Sequence, residues 1–459
     1  MEGLEIAEVN LQNLEFSSRI DSEYYRPAHL AAEKIVRNRE GRALHSVVDF
    51  LIGPFGSAFA VENFTDEKTF RYIRGKDVKP MRLESSDSVY MPRADYERLS
   101  KFALRSGDIL VSVVGTLGNS ALVEDEHLPA IFSCKSTVLR CNKVNPEYLL
   151  AYLNSRYGRS LLLRKERGAI QKGLNLDDLK SLSVFIGSEK FQGEVARIYK
   201  LSRIAEIASA TNISETEKTL LDSLGFNAWT PPETLSYVRS SQDAFAAGRL
   251  DAQFFAPRVT GLLECLGRDG LRIRDVAPVR RERFEPAGTG SFNYIEIGSL
   301  GADGTAAADE VPMAGAPSRA TQHVHAGDVI TSTVRPIRRL TALIAPEQDG
   351  AVCSSGFVVL EPQKISGEVL LTYLRLPVVC ELMDLHTSAT MYPAISEADL
   401  LALPIPEIPL AVQQRVQSAV RQSYEARRQA NRFLEAAKRA VEIAIEDSEA
   451  RALEYLSEF

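Results

Sequence analysis

The densest groups of chemically capable side chains in this sequence are cationic and polar, and several sit beside glycine. Arg164, Lys165, Arg167, Gln171 and Lys172 fall within RKERGAIQKG (164–173). Arginine and lysine neutralise phosphates, and glutamine can make a bidentate contact to adenine. The stretch therefore suits a DNA contact, although a solvated basic loop would look the same. Arg280, Arg281 and Arg283 in RRERF, and Arg335, Arg338 and Arg339 in VRPIRR, are the densest later clusters. Arg74 and Lys76 in YIRGKDV are placed similarly. These groups could bind phosphate or read guanine edges, or simply solubilise surface turns. GPFGSAF (53–59) supplies Gly53, Phe55, Gly56 and Ser57. Its glycines permit close backbone approach and turns whose N–H groups can cradle a phosphate; an ordinary β-turn is the plainer account. LHTSATMYPAI (385–395) lacks such charge but offers His386, Thr387, Ser388, Thr390 and Tyr392 as polar reading groups.

No catalytic set accompanies them. An adenine methyltransferase needs an aromatic-tipped Pro-Pro loop to hold a flipped base, whereas the only Pro-Pro pair is Thr230-Pro231-Pro232-Glu233, with no aromatic after it. No phosphate-binding P-loop and no glycine-rich strand–turn–helix occurs. His323 and His325 lie at ligand-like spacing on one face of a predicted strand, with no cysteine or carboxylate partner evident, so no metal site is expected. The five cysteines form no CxxC pair; Cys134 and Cys141 read as buried thiols rather than nucleophiles. The expectation is a reader without catalytic, metal or cofactor residues of its own.

Net charge qualifies that reading. The chain has 459 residues and a formal charge of -7. Nucleic-acid binders usually carry an excess of lysine and arginine, so the basic loops must be gathered locally or partners must add cationic surface. The acidic start MEGLEIAEVN is unlike a signal peptide, and no run of about 18 apolar residues occurs. A cytoplasmic protein without a membrane span is expected.

The elements that must position these residues occur twice. RIDSEYYRP (19–27) returns as RLDAQFFAP (249–257), SGDILVS (106–112) as AGDVITS (326–332), and AIFSCKSTVLR (130–140) as AVCSSGFVVLE (351–361). PEYLLAYL (146–153) returns as GEVLLTYL (367–374), and DLKSLSVFI (178–186) as DLLALPIPE (399–407). The order is kept and the offset stays between 220 and 230, which marks a tandem duplication. Short β-signals bounded by glycine predict a mostly antiparallel, barrel-like or twisted sheet, followed by helices. Each copy ends in a long helical pattern. In the first, Phe191, Val195, Ile198, Ala205, Ala208, Leu220 and Leu224 recur at helical spacing; in the second, Val412, Val416, Val420, Phe433, Ala437, Val441 and Ile445 do. A lone helix of this length would leave its stripe wet, so an antiparallel coiled pair is the economical solution, with packing of each helix on its own domain as the alternative. The division reads as a first domain 1–187, helix 188–225, linker 226–247, second domain 248–408, helix 409–447 and acidic tail 448–459. Two similar readers on a helical spacer would suit two unlike DNA half-sites.

GPFGSAF, SGDILVSVVGTLGNSALV (106–123), GAIQKGLNLDDLKSLSV (168–184) and the helix starting EKFQGEVARI together resemble the specificity (S) subunits of type I restriction–modification systems, over nearly the whole chain. That resemblance implies an α+β chain, with two tandem target-recognition domains joined by two long antiparallel helices. It implies a DNA-recognition subunit for a bipartite, asymmetric target in double-stranded DNA. The partners it implies are two modification (methyltransferase) subunits that use S-adenosylmethionine, with restriction (translocase–nuclease) subunits as optional additions. The second copy departs from the pattern: VRRERFEP stands near the GPFGSAF position, and TVRPIRRL replaces VVGTLGNS. An S-like protein of another phage-defence methylation system and a protein-binding scaffold are the alternatives.

Overall fold

The computed structural model describes residues 6–9, 19–54, 56–85, 87–168, 172–226, 229–230, 234–388 and 393–459; the side chains of Val61 and Ser388 lie outside the description. Two compact units result. One holds the residues up to Ala205 together with Arg428–Phe459, and the other holds Glu206–Arg427. The residues of each long helix divide between them.

The first unit opens with α1 (Pro27–Asn38) and continues through β1 (Val48–Ile52), β2 (Phe70–Ile73), β3 (Val89–Met91), β4 (Asp108–Ser112), β5 (Ser120–Leu122), β6 (Ala130–Phe132) and β7 (Ser136–Cys141). An antiparallel sheet has the order β1-β7-β4-β5, and a smaller one has the order β3-β2-β6. Helices α2 (Pro146–Asn154) and α3 (Arg156–Arg164) follow, then the long α4 (Glu189–Leu224).

The second unit repeats the plan with α5 (Pro257–Gly267), β8 (Ser291–Ile295), β9 (Asp309–Pro312), β10 (Ala320–His323), β11 (Val329–Ser332), β12 (Thr341–Leu343), β13 (Val352–Ser354) and β14 (Phe357–Leu360). Then come α6 (Gly367–Arg375), α7 (Pro377–Leu385), β15 (Thr387–Ser388), β16 (Ala394–Ile395), the long α8 (Leu410–Glu446) and α9 (Glu449–Leu456). Its sheets have the orders β9-β8-β13-β10, β12-β11-β14 and β15-β16. The parallel pair β2–β6 has its counterpart in β8–β13, while the strand equivalent to β1 is reduced to one bridge, Val279–Leu360.

Local chemistry explains the helices after the sheets. Asn145 caps α2 by accepting from the Tyr148 N–H, and Ser366 caps α6 through Val369. Each helix is then tied down by a buried tyrosine at an equivalent position. Tyr152 donates to the Ser183 carbonyl at 2.7 Å, and Tyr373 to that of Pro404 at 2.5 Å.

The long helices pair inside each unit. In the first, Phe191, Val195 and Ile198 share a core with Leu434, Ala437, Val441 and Ile445. In the second, Leu220 and Leu224 share one with Val416 and Val420, and the Ser209 and Ser423 hydroxyls hydrogen-bond at 2.9 Å. Rising numbers on α4 meet falling numbers on α8, so the pairing is antiparallel. Both helices also pack on their unit's own α/β core. One stripe position differs from expectation: Ala208 is exposed and Ser209 is buried, because the middle of the seam is closed by small hydroxyl residues. The stretch read as an acidic tail is instead mostly helix α9, with Ala452 and Leu456 buried in the first core and Glu449 bonded to Ser188.

Candidate nucleic-acid interface

In the first unit, the predicted segments converge on the turn joining β4 to β5. Gly115 and Gly118 in that turn adopt left-handed conformations, with φ of 88° and 71°. Val113 donates its N–H to the Lys135 carbonyl at 2.9 Å and accepts from Leu174 N–H at 2.9 Å. The turn is thus flanked by loop 133–135 on one side and by a hairpin on the other. The hairpin stem is Arg167 paired with Gly173, through backbone bonds of 2.9 and 2.8 Å. A Cβ on Gly53 would lie 2.6 Å from the Ser133 carbonyl oxygen, and one on Gly75 would lie 2.8 Å from Lys135 Cβ. Glycine at these two places lets the backbones near 53 and 75 close on the same loop.

The second unit repeats the bonds that flank this turn. Thr333 donates to the Gly356 carbonyl at 2.9 Å and accepts from Ile395 N–H at 3.0 Å. Ser388 pairs with Ala394 where Arg167 pairs with Gly173. LHTSATMYPAI and VRPIRR, remote in sequence, thereby become neighbours, with Arg335 N–H donating to the Pro393 carbonyl at 2.9 Å. The turn residues differ in kind. Where the first unit has Gly115 and Gly118, the second has Arg335 and Arg339, still left-handed at φ 51° and 60°. A side chain in that conformation costs about 1–2 kcal/mol.

Many of the predicted cations are held within the fold. Arg164 is buried; its guanidinium lies 4.0 Å from the Tyr24 ring centroid, donates to the Tyr24 carbonyl at 2.9 Å and pairs with Glu33. A buried, neutralised guanidinium has no surface to offer a phosphate. Lys165 is also buried. Arg167 pairs bidentately with Asp178 at 2.6 and 2.9 Å, and Arg280 with Asp328 at 2.7 and 3.0 Å. Asp108, the counterpart of Asp328, is instead paired with Arg140 at 2.8 Å. The buried aspartate persists in both units while its cation comes from a different strand position. Arg74 is bound to Asp77, Lys76 to Asp87, Lys172 to Glu166, Arg281 to Glu397 and Arg339 to Glu217.

Arg283, Arg338, Gly56 and Ser57 are exposed, and Gly53 and Arg335 partly so. His386 bonds the Leu382 carbonyl through Nδ1, and the Thr387 hydroxyl donates to the Asp384 carbonyl. Phe55, Gln171, Thr390 and Tyr392 lie outside the described residues, and Ser388 is described through its backbone alone. Sequence reasoning missed Lys135, Arg319 and Ile337, all exposed beside these turns. Lys135 is an isolated charge inside a strand-like repeat, so only its tertiary placement marks it.

No family model matches this sequence, and no curated protein does. Solved structures do resemble it. The type I restriction–modification S subunit from M. genitalium shares 14% identity over 88% of this chain and 94% of its own, with a TM-score of 0.39. A chain from a structure of a type I R-M system shares 18% over 89% and 96%, at 0.29. The HsdS subunit from Thermoanaerobacter tengcongensis shares 17% over 89% and 95%, at 0.27.

The clearest sequence repeat turns out to be a structural clasp. Arg19 forks onto Asp21 at 2.9 and 2.6 Å, lies 4.4 Å from the Tyr24 centroid and donates to the Glu166 carbonyl at 2.7 Å. Arg249 follows the same plan with its Nε bonded to Asp251 at 2.7 Å, Phe254 at 4.4 Å and the Leu385 carbonyl at 2.7 Å. The arginine bonds hold both aspartates below the usual carboxylate range. Each clasp ends where its hairpin stem begins.

His325 has the carboxylate partners that the sequence did not reveal. Its Nε2 lies 2.9 Å from Glu282 and its Nδ1 3.2 Å from Asp349. Those bonds, Glu282 foremost, raise its pKa. It lies beyond β10, while His323 ends that strand with its ring 5.3 Å from Phe284. Among the described residues, Glu124, Glu126 and His127 form a ligand-like group. Arg203 already pairs with both carboxylates at 2.6 and 2.8 Å, and burial, aided by Arg71 and Arg203, drops His127 to about 4. Cys134, expected to be buried, is exposed, whereas burial pushes the Cys141 and Cys353 thiols up to about 12, which makes those two poor nucleophiles.

Proposed function

We propose that this chain is a sequence-specificity subunit for double-stranded DNA, reading a bipartite and asymmetric target. The observation that carries the reading is the twice-built turn-and-hairpin. Its flanking backbone bonds repeat, while the turn residues between them change from Gly115 and Gly118 to Arg335 and Arg339. A repeated scaffold with altered tips suits two ligands of one class that differ in detail, as two DNA half-sites do. Exposed Ser57, Lys135, Arg283, Arg319 and Arg338 are the cations and polar groups assigned to the DNA face. Adenine methylation with S-adenosylmethionine is assigned to two partner methyltransferase subunits, and cleavage to restriction subunits where these join.

The test is selection from a randomised duplex library by the full chain together with its methyltransferase subunits. The expected result is a motif of two unlike halves, with affinity falling steeply as salt rises. Recovery of no motif would refute the reading. Methyl transfer from labelled S-adenosylmethionine by this chain alone would turn it into an enzyme.

A further inference from the structure

Resting on that reading, we infer that Lys135 is a specificity-determining side chain of the first unit, held along Gly75 to read a guanine edge. The two units exchange a pair of residues at this place. Their parallel strand pairs set a common register: Ile73 lies opposite Phe132, and Ile295 opposite Cys353. Two residues past the first member of each pair stand Gly75 and Ile297, and three residues past the second stand Lys135 and Gly356. The loops carrying Lys135 and Gly356 share their hydrogen bonds. The Lys135 N–H donates to Ser133 Oγ at 3.4 Å, and the Gly356 N–H to Ser354 Oγ at 3.3 Å. Their carbonyls accept from the N–H groups of Val113 and Thr333, each at 2.9 Å.

On this common frame the small and large residues trade places. A Cβ on Gly75 would lie 2.8 Å from Lys135 Cβ and 3.7 Å from its Cδ, so the lysine stem lies across bare backbone. A Cβ on Gly356 would lie 2.6 Å from Ile297 Cδ1. Each unit therefore has room for one side chain here, and a second would overpack the place. In the first unit the occupant is an exposed cation. In the second it is a partly buried isoleucine packed on the core around Ile295. The fold accepts either arrangement, so it does not require the lysine.

Phosphates are alike in every half-site, and base edges are not. A scaffold repeated only to grip the DNA backbone has reason to keep its cation in both copies. A cation present in one copy and exchanged for isoleucine and glycine in the other marks the part that varies with the bases. Lysine can donate to guanine O6 and N7, and the contact along Gly75 narrows the directions its ammonium can take. The cations on either side of Gly75 are engaged, Arg74 with Asp77 and Lys76 with Asp87. Among the described residues, Lys135 makes no ion pair.

The experiment compares wild type with Lys135→Met, with Gly75→Ala, and with Gly75→Ala combined with Lys135→Gly. All are assembled in the full complex and followed by library selection, salt titration and thermal unfolding. Lys135→Met keeps the stem and removes the charge, so its unfolding midpoint is expected to stay unchanged. Preference at one guanine-containing position in one half of the motif is expected to fall about tenfold, with the other half intact. Gly75→Ala keeps the charge and crowds the stem. It is expected to lose the same preference and to lower the midpoint. Adding Lys135→Gly relieves the crowding and raises the midpoint again, without returning the preference. If Lys135→Met lowers the midpoint, the lysine belongs to the fold and the inference fails. It also fails if affinity weakens evenly across sequences with a flatter salt slope, which marks a phosphate contact. A motif left unaltered by Lys135→Met overturns the inference alone, whereas a wild type that selects no motif overturns the functional reading beneath it.

Discussion

At the scale of single residues, the structure separates cations that spacing alone could not. Arg338 and Arg339 are adjacent and look equivalent in VRPIRR. One is exposed and the other is paired with Glu217. Arg338→Ala is therefore expected to leave stability within about 0.5 kcal/mol and to reduce the salt slope of DNA binding by roughly one ion. Arg339→Ala is expected to cost about 1 kcal/mol or more in denaturant unfolding, because it strands a partly buried Glu217. Equal effects in both assays would contradict this division. His325 gives a pH prediction. Its folded pKa is raised, so its stabilising contribution is complete below the ordinary value near 6.5 and is lost as pH climbs through the folded value. Wild type should lose more of its unfolding midpoint than His325→Gln between about pH 6 and pH 8. Glu282, Asp349, Arg280 and His323 are the charged or titratable neighbours that set the window. The sequence placed His325 beside no carboxylate, because Glu282 and Asp349 are distant along the chain and meet it only by folding.

At the scale of elements, the helices and the duplication were legible and the clasps were not. Apolar residues at helical spacing announced the two long helices, since that signal is local. RIDSEYYRP was visible as a repeat, yet its purpose depends on carbonyls at Glu166 and Leu385, far along the chain. Arg249→Lys should preserve a charge near Phe254 while losing the simultaneous bonds to Asp251 and the Leu385 carbonyl. Faster amide exchange at Ile395 and Ser388, with no change at Gly173, would show that the clasp steadies its own hairpin stem. Exchange quickened in both hairpins would mean a general loosening. The α2–α3 junction supplies a sharper test of packing. A Cβ on Gly158 would lie 2.0 Å from the Tyr152 carbonyl oxygen. Gly158→Ala is expected to destabilise by about 2–3 kcal/mol, read in denaturant unfolding.

At the scale of the whole molecule, a chain of net charge -7 carries exposed cations at the repeated turns, as at Lys135 and Arg338, and also along its helices, as at Arg37, Arg415, Arg421 and Arg432. Both long helices contribute residues to both units. If the two units read two half-sites, inserting about four residues, one turn, into each long helix should alter the preferred spacing between the halves of the selected motif. An unchanged spacing would detach the helices from that role.

The sequence by itself determined the duplication, the long amphipathic helices and the class of side chain at the turns. Those are properties of order, periodicity and composition, which survive in one dimension. Only the tertiary structure decided which cations are available. Arg164, Arg167 and Arg280 meet Glu33, Asp178 and Asp328 across the fold. Desolvation makes such pairings specific, and no local pattern encodes them. It likewise brought VRPIRR against the hairpin near 394 and showed Arg335 occupying a glycine's conformation, a fact of backbone angle that the residue's identity conceals.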